Sequence, residues 1–196
     1  MIQTCDTAWI MATHACASEI ERLFGDSEFA HGHVVGWLDA GHGASVPNAF
    51  DWASVEAEST DPVKTGGSLV DPAYMLFTSG STGVPKGVAV SHRSAAAFVD
   101  AESRMFLTDD PIGPGDRVLA GLSVAFDASC EEMWLAWGHG ACLVAAPRAL
   151  VRTGMDLGPW LISHGITVVS TVPTLAALWP VESLEGFLSH FIARDS

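Results

Sequence analysis

The chain has 196 residues, of which 48% are hydrophobic, and a formal net charge of −14 at pH 7. This length is enough for a domain that buries roughly 70% of the surface of its unfolded chain, and the composition is that of a globular protein. With 23 acidic and 9 basic residues, the chain is poorly suited to bind nucleic acid or an anionic membrane surface.

Targeting and redox signals are sparse. No apolar run approaches the roughly 20 residues that span a bilayer, and the first cation is Arg22, so the start lacks the basic segment of a signal peptide. The four cysteines form no Cys-x-x-Cys pair, which indicates reduced thiols in a cytoplasmic protein. His31 and His33 could be a metal pair, but no further ligand stands at a suitable spacing. We therefore interpret them as loop or core residues and predict no metal site.

The first third of the chain alternates apolar and amphipathic segments. Residues 7–12 predict a buried strand, residues 15–24 an amphipathic helix that ends at Gly25, and residues 34–38 a second strand. Residues 51–63 are polar and acidic and indicate surface. A loop then leads into the next strand.

The most informative segment runs from Tyr74 to His92 and reads YMLFTSGSTGVPKGVAVSH. Two apolar runs that predict buried strands, 74–77 and 87–90, flank a loop rich in Gly, Ser and Thr. Glycines let the backbone approach a ligand closely, and its N–H groups can then form a nest for an anion. The hydroxyl groups and Lys86, one of only two lysines in the chain, add donors and a charge suited to phosphate. The segment therefore predicts a triphosphate site.

The spacing of this loop separates it from two common phosphate loops. A Walker A motif has four residues between its glycines and Ser or Thr after its Gly-Lys pair. Here two residues separate Gly80 from Gly83, and Gly87 follows Lys86. The G-x-G-x-x-G spacing of dinucleotide-binding folds is also missing. A plain surface hairpin is the alternative interpretation, but it would seldom place a lone lysine after proline between two apolar runs.

The remainder predicts alternating helices and strands. Ser91 is a favourable N-cap for the first helix. The predicted helices cover residues 92–106, 129–137, 155–164 and 173–179, and the predicted strands 117–122, 141–146 and 166–171. This alternation indicates an α/β fold with a mostly parallel sheet and crossover helices. Ligands in such sheets bind at the carboxyl ends of strands, and the loop over 78–86 follows a strand end.

Asp127 lies in the segment VAFDASCEEMW, after a predicted strand and before a predicted helix. Aspartate is a favoured N-cap, so its role could be confined to capping that helix. The neighbouring Glu131 and Glu132 could act as an acid–base pair, but we expect one to face solvent and the other to support the helix N-terminus. Cys130 is expected to pack in the core and not to act as a nucleophile.

Two segments carry a resemblance to a known family, YMLFTSGSTGVPKGV and FDASCEEMW. They resemble signatures of the adenylate-forming enzymes, which use ATP to convert a carboxylate into an acyl-adenylate and release pyrophosphate. The resemblance covers about Asp71 to Trp179 and is strongest to the amino-acid adenylation domains of nonribosomal peptide synthetases.

The resemblance implies roles for individual residues. Asp127 would pair with the α-ammonium group of an amino acid, which needs a charged partner in a mostly apolar pocket. Mg²⁺ is expected with ATP, and phosphopantetheine only on a partner carrier protein. The β- and γ-phosphates of ATP would be held by Thr78, Ser79, Gly80, Ser81, Thr82, Gly83 and Lys86.

Several family segments have no counterpart in the chain, among them the adenine- and ribose-binding segments and the small C-terminal domain with its catalytic lysine. We therefore expect a truncated adenylation domain with part of the large N-terminal subdomain. Residues 1–70 match that subdomain loosely, and residues 71–180 hold its core with the phosphate loop and the amino-group site. Residues 181–196 form a divergent tail, either a frayed helix or an out-of-register terminus.

Three functions remain open from the sequence. The first is a fragment of an amino-acid-activating ligase of nonribosomal peptide synthesis, which is not competent alone and works with a carrier protein or the remaining synthetase segments. The second is a fragment of an acyl-CoA or aryl-acid ligase, against which Asp127 argues. The third is a non-catalytic ATP-binding or interaction module. The segment after Phe126 also faintly resembles synthetases that polymerise basic amino acids, which does not fix the substrate.

Overall fold

The computed structural model describes residues 7–39, 46–63, 66–79, 83, 85–105, 108–154, 156–180 and 190–193. The chain divides into two compact units, residues 1–66 and 67–196. Among the described residues, the first unit holds a three-stranded sheet, and the second holds a two-stranded and a four-stranded sheet.

The first unit is built on three parallel strands in the order β1-β2-β3. The predicted strands at 7–12 and 34–38 and the predicted helix at 15–24 are present, with the first turn of that helix in the 3₁₀ form. The strand at 7–12 is not buried as predicted, because Trp9 and Met11 are 62% and 51% exposed. The described elements are β1 (Trp9–Ala12), a 3₁₀ turn (His14–Cys16), α1 (Ala17–Phe24), α2 (Ser27–Gly32), β2 (Val34–Trp37), β3 (Ala49–Phe50) and α3 (Trp52–Glu56).

Two short helices of this unit are not evident from the sequence pattern. Helix α2 begins after Asp26, whose carboxylate accepts a hydrogen bond from the N–H of Glu28 at 3.0 Å. Helix α3 lies in the polar stretch over 51–63 that the sequence predicts as surface, and its residues are exposed. Both helices are shorter than two full turns, so hydrophobic periodicity has too few residues to reveal them.

The core of the first unit joins α1 and α2 to strand β2. Ile20 and Phe24 pack with Phe29, Val35 and Trp37. The rings of Phe24 and Phe29 meet edge to face, with their centroids 5.4 Å apart. Parallel strands need a crossover connection, and α1 supplies it by burying its apolar side against β2.

The second unit begins with an antiparallel hairpin of β4 (Pro72–Thr78) and β5 (Lys86–Ser91). Both predicted strands around the Gly-rich loop are present, but neither is buried as predicted, and their pairing is antiparallel. The rule for the carboxyl ends of parallel strands therefore does not apply to the loop over 78–86, contrary to the sequence-based argument. A connection of seven residues is long enough for a hairpin and too short for the crossover that a parallel pair needs.

A four-stranded parallel sheet with the order β7-β6-β8-β9 forms the centre of the second unit. The predicted mostly parallel α/β architecture is confirmed here. The strands are β6 (Arg117–Ala120), β7 (Cys142–Ala145), β8 (Val168–Thr171) and β9 (His190–Ala193), and the helices are α4 (His92–Met105), α5 (Ala128–Gly138), α6 (Arg148–Thr153), α7 (Leu157–Ser163) and α8 (Pro173–Ala176).

Helices cover both faces of this sheet because successive strand residues point to opposite sides. Val118 and Val168 belong to the apolar cluster that includes Leu135 of α5. Their neighbours Leu119 and Val169 belong to a second cluster with residues of α6, α7 and α8. At the start of α4, the Ser91 hydroxyl accepts a hydrogen bond from the N–H of Ser94 at 3.2 Å, which confirms the predicted cap.

The segment before the C-terminus differs from the frayed helix that was one of the two expectations there. Residues 190–193 form the parallel strand β9 beside β8, so the frayed-helix interpretation is wrong for that segment. Residues 181–189 and 194–196 lie outside the described residues. In the parts of the chain that the structure describes, no helix combines the length and apolar character needed to cross a membrane.

Candidate functional site

The predicted phosphate loop closes the hairpin of β4 and β5. Thr78 and Lys86 face each other as the last paired residues of the two strands, and both are exposed. Gly83 has a φ of 79°, a left-handed conformation that glycine adopts without steric cost. Of the predicted phosphate ligands, Ser79 is also described, whereas Gly80, Ser81 and Thr82 lie outside the described residues.

Lys86 forms no ion pair with any residue that the structure describes. Lys86 stands on an exposed strand end, where it pairs with Thr78 across the hairpin. A lysine that is free of an internal carboxylate retains its charge for an external anion, and phosphate is the usual partner of such a point charge. This geometry leaves Lys86 available for the predicted role.

Asp127 stands at the N-cap position of α5 but does not cap it. Its side chain accepts no hydrogen bond from the first turn of the helix, and the residue is exposed. The capping interpretation, which the sequence left open, therefore does not account for the carboxylate. Asp127 instead lines two cavities of the second unit.

The larger of these cavities has a volume of about 640 Å³. It lies where strands β6, β7 and β8 end, since Ala120, Ala146 and Val172 are among its lining residues. The carboxyl ends of parallel strands are the usual ligand-binding edge of an α/β sheet. The cavity also contains apolar side chains such as Phe126 and Leu175, so its wall combines one carboxylate with an apolar surface.

Two arginines in this cavity are absent from the sequence-based site. Arg148 and Arg152 lie one turn apart on α6 and line the cavity together with Asp127. Their i, i+4 spacing directly after a predicted strand is the sequence signal that could have identified them. The site therefore presents positive as well as negative charge to a ligand.

The smaller cavity, of about 320 Å³, connects Asp127 with the hairpin that carries the phosphate loop. Tyr74 of β4, Val90 of β5 and Asp127 all line it. Burial raises the pKa of the Tyr74 hydroxyl, and the negative charges of Cys130 and Asp127 raise it further. The structure thus brings Asp127 into the same region as the hairpin, although the two are about fifty residues apart in sequence.

The expectation for the glutamate doublet is wrong. Glu131 and Glu132 are only 0% and 2% exposed, so neither faces solvent. Glu131 accepts a hydrogen bond from the Ser170 hydroxyl at 2.6 Å. Glu132 accepts bonds from the N–H groups of Gly121 and Leu122 at 3.0 and 3.2 Å. Buried carboxylates require such partners, and these partners come from distant parts of the chain.

The pKa of Glu132 is raised from 4.5 to about 7; burial is the main cause, the two N–H donors oppose the rise, and the charge of Glu131 adds to it. Cys130 is buried, as predicted. Burial is also the main cause of the raised pKa of its thiol, to which the charge of Asp127 contributes. A buried thiol with a raised pKa is a poor nucleophile.

His33 of the first unit packs against an aromatic ring and a backbone carbonyl. The ring of His33 stacks on that of Phe29, with centroids 3.9 Å apart, and its Nδ1 lies 2.6 Å from the Phe29 carbonyl oxygen. Within the described ranges, no group of three or more His, Cys, Asp or Glu residues could hold a metal ion.

A family model and a curated relative both match most of this chain. The model of the family described as AMP-binding enzyme matches residues 5–191. The Delta-poly-L-ornithine synthetase of Acinetobacter baumannii is 40% identical over 144 residues, which is 71% of this chain and 10% of that protein. The chain thus spans a small part of the length of this relative.

Solved structures show the same similarity. The N-terminal subdomain of Klebsiella oxytoca NpsA in complex with 3-hydroxybenzoyl-AMSN has a TM-score of 0.62 and 26% identity, over 90% of this chain and 45% of that chain. The nonribosomal peptide synthetase FmoA3 in its AMPPNP-bound form has a TM-score of 0.61 and 26% identity, over 84% of this chain and 17% of that chain.

Proposed function

Since the chain belongs to the AMP-binding enzyme family, we propose that it is part of an amino-acid-activating ligase of nonribosomal peptide synthesis. The reaction joins ATP and an amino acid to give an aminoacyl-adenylate and pyrophosphate. The observation that carries the proposal is Asp127, whose exposed carboxylate lines the cavity at the carboxyl ends of the strands without capping its helix. That is the arrangement an α-ammonium group would need.

The hairpin loop would bind the phosphates of ATP. Lys86 and the hydroxyl groups of Thr78 and Ser79 would hold the β- and γ-phosphates, with Gly80, Ser81, Thr82 and Gly83 completing the loop. As the substrate carboxylate attacks the α-phosphorus, the bond to the departing pyrophosphate breaks and negative charge grows on its oxygens. Fixed donors and a cation stabilise that charge. Mg²⁺ would arrive with ATP, bound to its phosphate oxygens.

Asp127 would bind the amino-acid substrate. In the cavity of about 640 Å³, the carboxylate would pair with the α-ammonium group, while Phe126 and Leu175 contact the apolar part of the substrate. The similarity to a synthetase whose name specifies poly-L-ornithine makes L-ornithine a reasonable first substrate to test.

We expect the complete activity to need residues that this chain does not contain. The chain spans 10% of the ornithine synthetase and 45% of the NpsA subdomain, so residues outside it would supply much of the nucleotide site. We therefore expect this chain to bind ligands without catalysing turnover. Its partners would be the remaining synthetase segments and a cytoplasmic carrier protein bearing phosphopantetheine.

Calorimetric titration with two adenylate analogues tests the amino-acid assignment. One is L-ornithyl sulfamoyladenosine, and the other is the same compound without its α-amino group. The wild-type chain should prefer the amino compound, and Asp127→Asn should abolish that preference while it retains the fold. An equal affinity of the wild-type chain for both compounds would contradict the assignment. Amino-acid-dependent pyrophosphate exchange that disappears in Lys86→Ala would contradict the expected lack of turnover.

An aryl-acid or acyl-CoA ligase is the second candidate. It is favoured by the NpsA subdomain, which is solved with 3-hydroxybenzoyl-AMSN, and by the apolar part of the cavity wall. Stronger binding of 3-hydroxybenzoyl sulfamoyladenosine than of the ornithyl compound would support it. Binding of ATP with no response to any acyl group would support the non-catalytic ATP-binding module.

A further inference from the structure

The connection between β6 and α5 forms one wall of the cavity that holds Asp127, with residues 121–124 and 126–128 in the lining. The ladder of β6 ends at Ala120, whose carbonyl oxygen accepts a hydrogen bond from the N–H of Ala146 at 3.2 Å. Beyond this point the backbone leaves the sheet. Its N–H groups are partly buried and need partners from outside the ladder.

Glu132 supplies those partners from the second turn of α5. Its Oε1 accepts from the N–H of Gly121 at 3.0 Å and of Leu122 at 3.2 Å. Its Oε2 also lies 3.2 Å from the N–H of Leu122. The side chain is 2% exposed. One carboxylate therefore fixes the first two residues of the connection against the helix that follows it.

The other end of the connection is also fixed by α5. The N–H of Phe126 donates to the Ser123 carbonyl oxygen at 2.9 Å, and the Ser129 hydroxyl donates to the Phe126 carbonyl oxygen at 2.8 Å. Asp127 lies between this anchor and the helix. Its position over the cavity thus depends on a short loop whose two ends are both bound to α5.

A carboxylate is a costly choice for a purely structural contact. Burial disfavours its charged form and raises the pKa of Glu132 to about 7. A glutamine could accept the same bonds, but it would bury an amide NH₂ that also needs a partner. Groups that are retained in the core despite such a cost are frequently tied to function.

Among the described residues, no cation contributes to the shifted pKa of Glu132, although Arg148 and Arg152 of α6 line the cavity beside Gly121 and Leu122. The neighbouring Glu131 has the same charge, and β8 carries no titratable side chain. On β6, Arg117 donates to the His164 carbonyl oxygen at 2.6 Å, and Cys142 of β7 is exposed. On α4, Glu102 is buried, and the other charged groups are exposed. The two backbone N–H groups are therefore the described partners of this carboxylate.

We propose that Glu132 is a positioning residue: its carboxylate holds residues 121–122 so that the β6–α5 connection presents Asp127 to the ammonium group of the ligand. The nature of the ligand rests on the proposed function. The link from Glu132 through the connection to Asp127 rests on the hydrogen bonds alone.

Nuclear magnetic resonance of the full 196-residue chain tests the link directly. Between pH 5 and 9, the amide signals of Gly121, Leu122 and Asp127 should shift together, with a midpoint near the Glu132 pKa of about 7. The joint shift should vanish in Glu132→Gln and persist in Glu131→Gln, a matched change of the adjacent buried carboxylate. An Asp127 signal that does not follow the other two would overturn the proposal, and this wild-type result needs no variant to fold.

A second experiment compares the binding of the two sulfamoyladenosine analogues, with and without the α-amino group. If Glu132 positions Asp127, Glu132→Gln should reduce the preference for the amino compound roughly tenfold or more, with little change for the other compound. A folded Glu132→Gln chain with its preference intact would overturn the proposal. If the wild-type chain shows no preference, the proposed function fails, and the magnetic resonance titration still decides whether Glu132 controls the connection.

Discussion

Glu131 of α5 accepts a hydrogen bond from the Ser170 hydroxyl of β8 at 2.6 Å, and both residues are buried. The adjacent Glu132 reaches the end of β6 instead. Since β6 and β8 are neighbours in the sheet, two consecutive carboxylates fix one helix to two strands. This arrangement sets the position of α5, and with it the position of Asp127.

Removal of the Ser170 hydroxyl should destabilise the second unit. Ser170→Ala takes one donor from a fully buried carboxylate, which costs about 1–3 kcal/mol of the free energy of unfolding. Urea denaturation at pH 8 measures the change. Ser163→Ala is the matched control, because the exposed Ser163 hydroxyl donates to the Trp160 carbonyl oxygen at 2.9 Å and its loss should cost at most about 0.5 kcal/mol. Equal effects of the two variants would contradict the structural role of the pair.

The stability of the fold should depend on pH through Glu132. Its pKa is raised from 4.5 to about 7, so the folded state binds the proton more tightly than the unfolded state. The stabilisation from this proton is complete below pH 4.5, decreases as the pH rises and is lost above pH 7. For this single group, the free energy of unfolding should fall by about 3 kcal/mol between pH 4 and pH 8.

Urea midpoints of the wild-type chain and Glu132→Gln at several pH values measure this effect. The variant has no titrating group at the position, so the difference in stability between the two proteins should change in favour of the variant as the pH rises. Two curves that run parallel from pH 4 to pH 8 would show that Glu132 has an ordinary pKa.

The arrangement of helices and strands follows largely from local sequence. Apolar runs at 117–122 and 166–171 predict β6 and β8, and Ser91 marks the start of α4. These signals are local, because propensity and capping act within a few residues. The pairing of β4 with β5 is different. Their antiparallel direction is not encoded in the apolar runs themselves; it follows from the seven-residue connection between them, which is too short for a parallel crossover.

The surroundings of the candidate site were harder to predict. The sequence suggests that the charged doublet of Glu131 and Glu132 is partly solvated, because lone carboxylates are rarely buried. Their burial depends on Ser170 and on the N–H groups after β6, which lie 10 to 39 residues away. Arg148 and Arg152 stand at an i, i+4 spacing that indicates one helix face, but only the folded sheet shows that this face borders the cavity of Asp127. Local patterns identify reactive residue types, and tertiary contacts decide their environment.

The affinity for ATP should depend on Lys86. Lys86→Ala removes the one cation of the hairpin loop and should weaken ATP binding roughly tenfold, which corresponds to about 1.4 kcal/mol. The difference should shrink as salt is added, because the lysine is exposed. Equilibrium dialysis with labelled ATP measures the affinity. Arg104→Ala is the control, since it removes one exposed charge that pairs with Asp100 on α4. Equal losses in both variants would assign the effect to net charge and not to the loop.

The backbone shape of the loop should matter separately from its charge. Gly83 has a φ of 79°, and an added Cβ would meet no atom within 4 Å, so Gly83→Ala introduces backbone strain of about 1 kcal/mol without a steric clash. The loop can relieve this strain by changing conformation, which should weaken ATP binding several-fold and leave the urea midpoint nearly unchanged. Gly66→Ala is the matched control, because Gly66 also has open space around its Cβ position and no positive φ. Unchanged ATP affinity in Gly83→Ala would mean that phosphate recognition does not depend on the left-handed turn, and the anion nest would have to be placed elsewhere.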